Sequence, residues 1–207
     1  MSQDSKAAAV ERAAEFWARD LAQRMALARP DDTVRGVFCT GLLRFAWRFG
    51  GEESMKRCLE VGGEEKFVDF FSYSVSSYLR MVSSVVLPLA TRNGGVEEAL
   101  MSLGRQAVMD IRGSAAGKAL AMMSTGDMRS LLESLQVAFR VASSSGEYVL
   151  AWTSPSSARF TLRHVFMPLP FHEGLLREVL EEGSGRSVTL VGRQLGPLDN
   201  EFEISWE

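Results

Sequence analysis

The last seventy residues run as short apolar–polar alternations separated by turn chemistry, and nothing else in the chain restricts the fold as strongly. Residues 135–141, 147–153 and 158–166 read as strands, broken at Ser143-Ser144-Ser145-Gly146 and Ser154-Pro155-Ser156-Ser157. Pro168 and Pro170 then lead into a helix over about 171–181, which stops at Gly183-Ser184-Gly185. Residues 187–195 and 201–206 give two more strands, joined by the turn residues Gly196-Pro197-Leu198-Asp199-Asn200. In the final run Phe202, Ile204 and Trp206 share one face, and Glu201, Glu203 and Ser205 the other. This order predicts an antiparallel sheet of about five strands carrying one helix.

Everything before residue 135 has helical spacing. Asp4 or Ser5 caps a first helix to about Ala28, with Val10, Ala13, Phe16, Trp17, Leu21 and Met25 on one side and Glu11, Arg12, Arg19 and Arg24 around it. Arg29-Pro30-Asp31-Asp32 breaks it. Residues 33–40 are β-prone and form either a strand or the start of a helix through Trp47. Gly50-Gly51 and Gly62-Gly63 bracket a short helix. Over 64–90, Phe67, Phe70, Phe71, Val75, Tyr78, Leu79 and Val82 recur at helical intervals up to the stop at Arg92-Asn93-Gly94-Gly95. Further helices are expected over 96–112 and 114–123, and a short one from Met128 capped by Ser124-Thr125-Gly126-Asp127. The expected class is α+β: an N-terminal arm, 1–30, then one domain, 31–207, with a helical half, 31–134, packed on a sheet half, 135–207.

Composition excludes several functions. The 207 residues are 46% hydrophobic, enough for a real core, and the formal net charge is −3, which gives no field to gather nucleic acid. Cys39 and Cys58 are far from any CxxC spacing and read as buried thiols of a reducing compartment. No signal core precedes the first helix, and the longest apolar stretch, 78–90, is too short to span a bilayer. A cytoplasmic protein is expected.

Catalytic parts are missing. His164 falls in a strand pattern and His172 opens a helix, and neither has a carboxylate and nucleophile at recognisable spacing. Two histidines and two scattered cysteines make no structural zinc site. Gly113-Ser-Ala-Ala-Gly117-Lys118-Ala119 is one residue short of a phosphate loop and ends in Ala where the metal-binding hydroxyl belongs. Five methionines between Met101 and Met128 read first as adaptable core filling, and as a pocket lining second. The pocket candidates are Phe71, Tyr78, Met101, Met109 and Met122.

Several motifs occur together in a fixed order: Asp32-Thr-Val-Arg-Gly-Val-Phe-Cys-Thr-Gly-Leu-Leu43, Leu103-Gly104-Arg105, Val137-Ala-Phe-Arg140, Met167-Pro168, His172-Glu-Gly174 and Glu201-Phe-Glu-Ile-Ser-Trp206. In this the chain resembles, over residues 32–207, a paralogous family of proteins of unknown function expanded in Myxococcus xanthus and other myxobacteria. From Met167 onward it is also similar in plan to the 4-vinyl reductase ligand-sensing domain, without the cysteines that domain places near this end. Haem-nitric-oxide-binding proteins share the plan of helical half plus sheet. Their Tyr-x-Ser-x-Arg motif is missing, and the nearest segment, Tyr73-Ser-Val-Ser-Ser-Tyr-Leu-Arg80, has the wrong spacing. The resemblances imply a fold and transfer no catalytic residue. The expected function is a non-enzymatic signalling or regulatory module, with no cofactor, binding a small apolar ligand or a protein partner. The alternative is a structural or scaffolding protein that assembles through its surface. The arm before Pro30 is read first as packing on the chain's own body and second as an oligomerisation arm, and a homodimer or larger assembly is expected because one helix face does not hide both Phe16 and Trp17.

Overall fold

The computed structural model describes residues 3–91, 95–113 and 127–207. Among them are six helices and six strands. In chain order these are α1 (Gln3–Leu27), β1 (Thr33–Arg35), α2 (Gly36–Gly62), β2 (Ser72–Ser74), α3 (Val75–Val86), α4 (Val96–Gly113), α5 (Met128–Ala142), β3 (Glu147–Ser154), β4 (Ser157–Arg163), α6 (Leu169–Ser184), β5 (Val188–Gly196) and β6 (Asp199–Trp206). The class is α+β, a helical N-terminal part joined to a C-terminal antiparallel sheet.

That sheet has four strands in the order β3-β4-β6-β5. Phe160 pairs with Phe202, Ala158 with Ile204, and Val188 with Trp206, so one face is continuously apolar. Phe160 and Phe202 are fully buried there. The opposite face carries charge pairs: Glu201 is held by Arg193 and by Thr161 Oγ1 at 3.2 Å, with Arg159 at 3.6 Å. These partners keep the Glu201 carboxyl below its usual range in spite of the desolvation that opposes it. A half-wet antiparallel sheet is expected to sort its faces in this way.

The expected strand over 135–141 is helix α5. Asp127 caps it, its carboxylate accepting from the Arg129 and Ser130 amides at 2.9 and 3.0 Å. Met128, Leu132, Leu135 and Phe139 form its buried stripe at spacings of three and four. The expected helix over 64–90 is shorter. Residues before Ser72 are irregular, β2 pairs with β1, and α3 begins at Val75 after the Ser74 hydroxyl accepts from Ser77 N. The β-prone start at residue 33 resolves into both options, three residues of strand and then helix. Gly51, at φ 73°, interrupts α2 where the sequence places a boundary. Strand β4 ends at Arg163, and His164 turns away at φ 53°, its amide donating to Asp199 Oδ1 at 2.9 Å. The expected helix over 114–123 lies outside the described residues.

Helix α1 packs on the body. Trp17 and Leu21 join the common core, while Phe16 points outward. Arg24, expected on the solvated flank, is only 1% exposed. Its guanidinium pairs with Asp20 at 2.6 Å and donates to the carbonyls of Val165 and Met167 at 3.5 and 3.4 Å. The charge is tolerated because its donors are met by a carboxylate and by carbonyls of the segment between β4 and α6.

Candidate functional site

Helices α3, α4, α5 and α6 do not close fully on one another. They leave a cavity of about 450 Å³, completed by the 165–167 segment and by Tyr148 at the start of the sheet. Its size falls in the range of small-molecule sites, and its walls are overwhelmingly apolar. Val75 and Tyr78 come from α3, and Val108 and Ile111 from α4. Leu135, Ala138 and Phe139 come from α5, and Phe171, His172 and Leu175 from α6.

Of the five candidates read from the sequence, Tyr78 lines this cavity. Phe71 does not: it sits on the surface before β2, 53% exposed, edge-on to Phe70 at 5.0 Å. Met109 is also 53% exposed, because the buried stripe of α4 runs through Leu100, Leu103, Ala107 and Val108, and the next residue lies about 100° further round. Met101 is half-buried at the crossing of α4 with α6, away from the cavity wall. Met122 lies outside the described residues. Among the described residues the walls are aromatic and aliphatic, with Met167 the methionine among them.

The polar groups at the cavity are few. Tyr148 donates its hydroxyl to the Ser145 carbonyl at 3.1 Å, and burial pushes its phenol up to about 12. Tyr78 is raised well above the usual range, first by burial and then by the neighbouring Cys39, Asp110 and Cys58. The two cysteines are themselves free, buried and pushed up to about 12, chiefly by desolvation. His172 is 3% exposed, flanked by the rings of Phe139 and Phe171 at 5.9 and 5.4 Å. Burial, and then the positive charge of Arg24, lower its pKa to about 3, so it is neutral at physiological pH. Its Nδ1 stands 3.4 Å from Asn200 Nδ2, and the Asn200 side-chain oxygen is buried with no partner.

This arrangement predicts a pH dependence. The unfolded imidazole titrates near 6.5 and the folded one near 3, so between those values the unfolded chain holds a proton that the folded chain does not. Stability is therefore lost as pH falls through that window, at up to about 1.4 kcal/mol per pH unit. Urea midpoints measured from pH 6.5 to 4.5 should fall more steeply for the wild type than for His172→Gln. Parallel slopes would show that His172 is not held neutral.

The structure is similar to solved H-NOX proteins. One, from S. oneidensis in the Fe(II)NO ligation state, is 13% identical and aligns over 84% of this chain and 99% of that one, at a TM-score of 0.67. Another, the Fe(II) unliganded H-NOX protein from K. algicida, is 14% identical over 84% of this chain and 96% of that one, at 0.61. A third, from work on heme redox potential and porphyrin distortion, is 11% identical over 84% and 95%, at 0.59. At these identities the likeness defines an H-NOX-like fold, and it runs to those domains rather than to the 4-vinyl reductase domain. Residues 27–207 match DUF2378, described as a protein family of unknown function, and the chain belongs to that family. Most of α1 precedes the matched region. No curated protein matches the sequence.

An iron porphyrin is the group this fold brings to mind, and among the described residues of the cavity wall His172 is the donor of the kind its iron takes. Haem iron takes a neutral imidazole nitrogen, a thiolate or a phenolate, with thioether as a companion to histidine. Both cysteines lie outside the wall, and burial holds both phenols in the protonated form. The His172 imidazole, neutral and packed between the rings of Phe139 and Phe171, keeps one nitrogen lone pair, at Nδ1 or Nε2 according to its tautomer. No group of three or more His, Cys, Asp or Glu that could hold a metal ion occurs among the described residues. No helix among them is long and apolar enough to cross a membrane.

Proposed function

We propose that the chain is a non-enzymatic ligand-sensing module that takes a small, mostly apolar molecule into the cavity between its helices and the start of its sheet. The observation that carries this reading is the cavity itself: about 450 Å³ of half-open space with mostly apolar walls. Apolar wall left to water costs free energy in proportion to its area. An occupant offsets that cost.

The H-NOX-like fold supports the reading, since the S. oneidensis relative is known in a ligated state. The geometry also offers a route for a signal. Val165, Phe166 and Met167 line the cavity, and the carbonyls of Val165 and Met167 hold Arg24 of α1. A ligand that displaces this segment acts on the seat of α1.

The test is binding. Protein titrated with 8-anilinonaphthalene-1-sulfonate should show one saturable site, and Ala138→Phe, which fills the cavity from α5, should abolish it while raising the denaturation midpoint. Equal binding by the wild type and by folded Ala138→Phe would overturn the reading.

A further inference from the structure

We infer that the ligand is an uncharged ring compound carrying a ketone-type carbonyl, and that the Tyr78 hydroxyl donates a hydrogen bond to that oxygen. This rests on the cavity being a ligand site.

The chain has three tyrosines. Tyr73 accepts from the Val68 amide at 2.9 Å, and Tyr148 donates to the Ser145 carbonyl at 3.1 Å. Tyr78 is 4% exposed and lines the cavity, yet its hydroxyl has no hydrogen-bond partner among the described residues. Phenylalanine would fill the same space, so a hydroxyl that opens to the cavity without a protein partner is available to an acceptor on a ligand.

The phenol is held protonated by burial, so it acts as donor and its partner is an acceptor. The partner carries no charge, because Asp110 lies near enough to act on Tyr78 and would repel an anion, which would also lose its hydration there. Arg112, the cation at the cavity wall, has Glu182 at 3.7 Å. The body of the ligand is a ring system because Phe38, Phe139, Phe166 and Phe171 face the space, offering edge and offset contacts to another ring.

Two probes of nearly equal shape separate the claims: 2-acetylnaphthalene, which has the carbonyl, and 2-ethylnaphthalene, which does not. Both are titrated into wild type and Tyr78→Phe by quenching of tryptophan fluorescence. Loss of one hydrogen bond should weaken the ketone about 2- to 12-fold in the variant and leave the hydrocarbon within about 2-fold. An equal change in both, or none in either, overturns the assignment to Tyr78 while the site itself stands. Failure of both probes to bind wild type overturns the site and the assignment together. Should Tyr78→Phe not fold, the carbonyl stretching band of bound 2-acetylnaphthalene in wild type decides: a shift to lower frequency than in hydrocarbon solvent supports the bond, and no shift overturns it.

Discussion

Gly174→Ala should destabilise the protein by at least about 3 kcal/mol, and Gly104→Ala by a similar amount, although both exchanges sit inside helices where alanine is intrinsically favoured by about 1 kcal/mol. The sign of the effect is the point. At Gly104 in α4 an added Cβ would overlap the Phe171 carbonyl oxygen and stand 2.8 Å from the Leu175 nitrogen. At Gly174 in α6 it would overlap the Met101 carbonyl oxygen and stand 2.6 Å from the Met101 carbonyl carbon. Each glycine thus admits the backbone of the other helix, and the atoms in the way are main chain, which cannot rotate aside. Ordinary overpacking in a core costs about 1–3 kcal/mol because side chains share the strain. Here two helices must separate, and with them the cavity walls supplied by Val108 and Ile111 on one side and Phe171 and Leu175 on the other. Urea denaturation of each single variant measures the effect. A midpoint at or above that of wild type would mean that the helices do not cross this closely. The double variant, with main-chain overlaps on both sides of the crossing, is expected not to fold.

The two glycines also show what could be read in advance. They stand in Leu103-Gly104-Arg105 and His172-Glu-Gly174, two of the motifs that carry the family resemblance, but a spacing in one chain cannot say that two glycines face each other 70 residues apart. The strands from Glu147 onward were legible because their turns are local and their faces alternate. The stretch 135–141 misled for the same reason: Leu135, Val137, Phe139 and Val141 alternate perfectly, and two β-branched residues favour a strand. The helix wins because Leu132, Leu135 and Phe139 also fall on one helical stripe and Asp127 supplies the cap, leaving Val137 and Val141 outside at 48% and 53% exposed. Of the cavity, Tyr78 was visible because it lies on the steady apolar face of α3. His172 and Tyr148 gave no such signal. Their importance depends on burial by distant segments, and for His172 on the charge of Arg24, an arginine whose sequence neighbours suggest only a solvated helix flank.

Trp206→Ala should cost about 3–5 kcal/mol, the usual penalty for truncating a large buried aromatic, and deleting residues 202–207 should leave an aggregating chain. Chain termini are ordinarily the most dispensable part of a domain. This one is different because of topology. Strand β6 comes last in sequence but lies inside the sheet, with β4 on one side and β5 on the other. Removing it leaves two unpaired edges facing each other and uncovers the apolar face made with Phe160 and Leu190, the kind of edge that recruits other chains. Trp206 itself is 8% exposed, pairs in register with Val188, and meets Trp152 edge-on at 6.4 Å, while the Arg129 guanidinium lies 4.5 Å from the centre of the Trp152 ring. The indole therefore ties β6 to β3 across the intervening β4 and, through Arg129, to the first turn of α5, which forms a cavity wall. Against a total stability of about 5–15 kcal/mol, losing that tie removes a large share. Denaturant midpoints compare Trp206→Ala with wild type, and Trp206→Phe, which retains a ring at the site, should recover part of the loss. If Trp206→Ala unfolds at the wild-type midpoint, the end of β6 is frayed in solution and the link from the sheet to α5 must run through other residues.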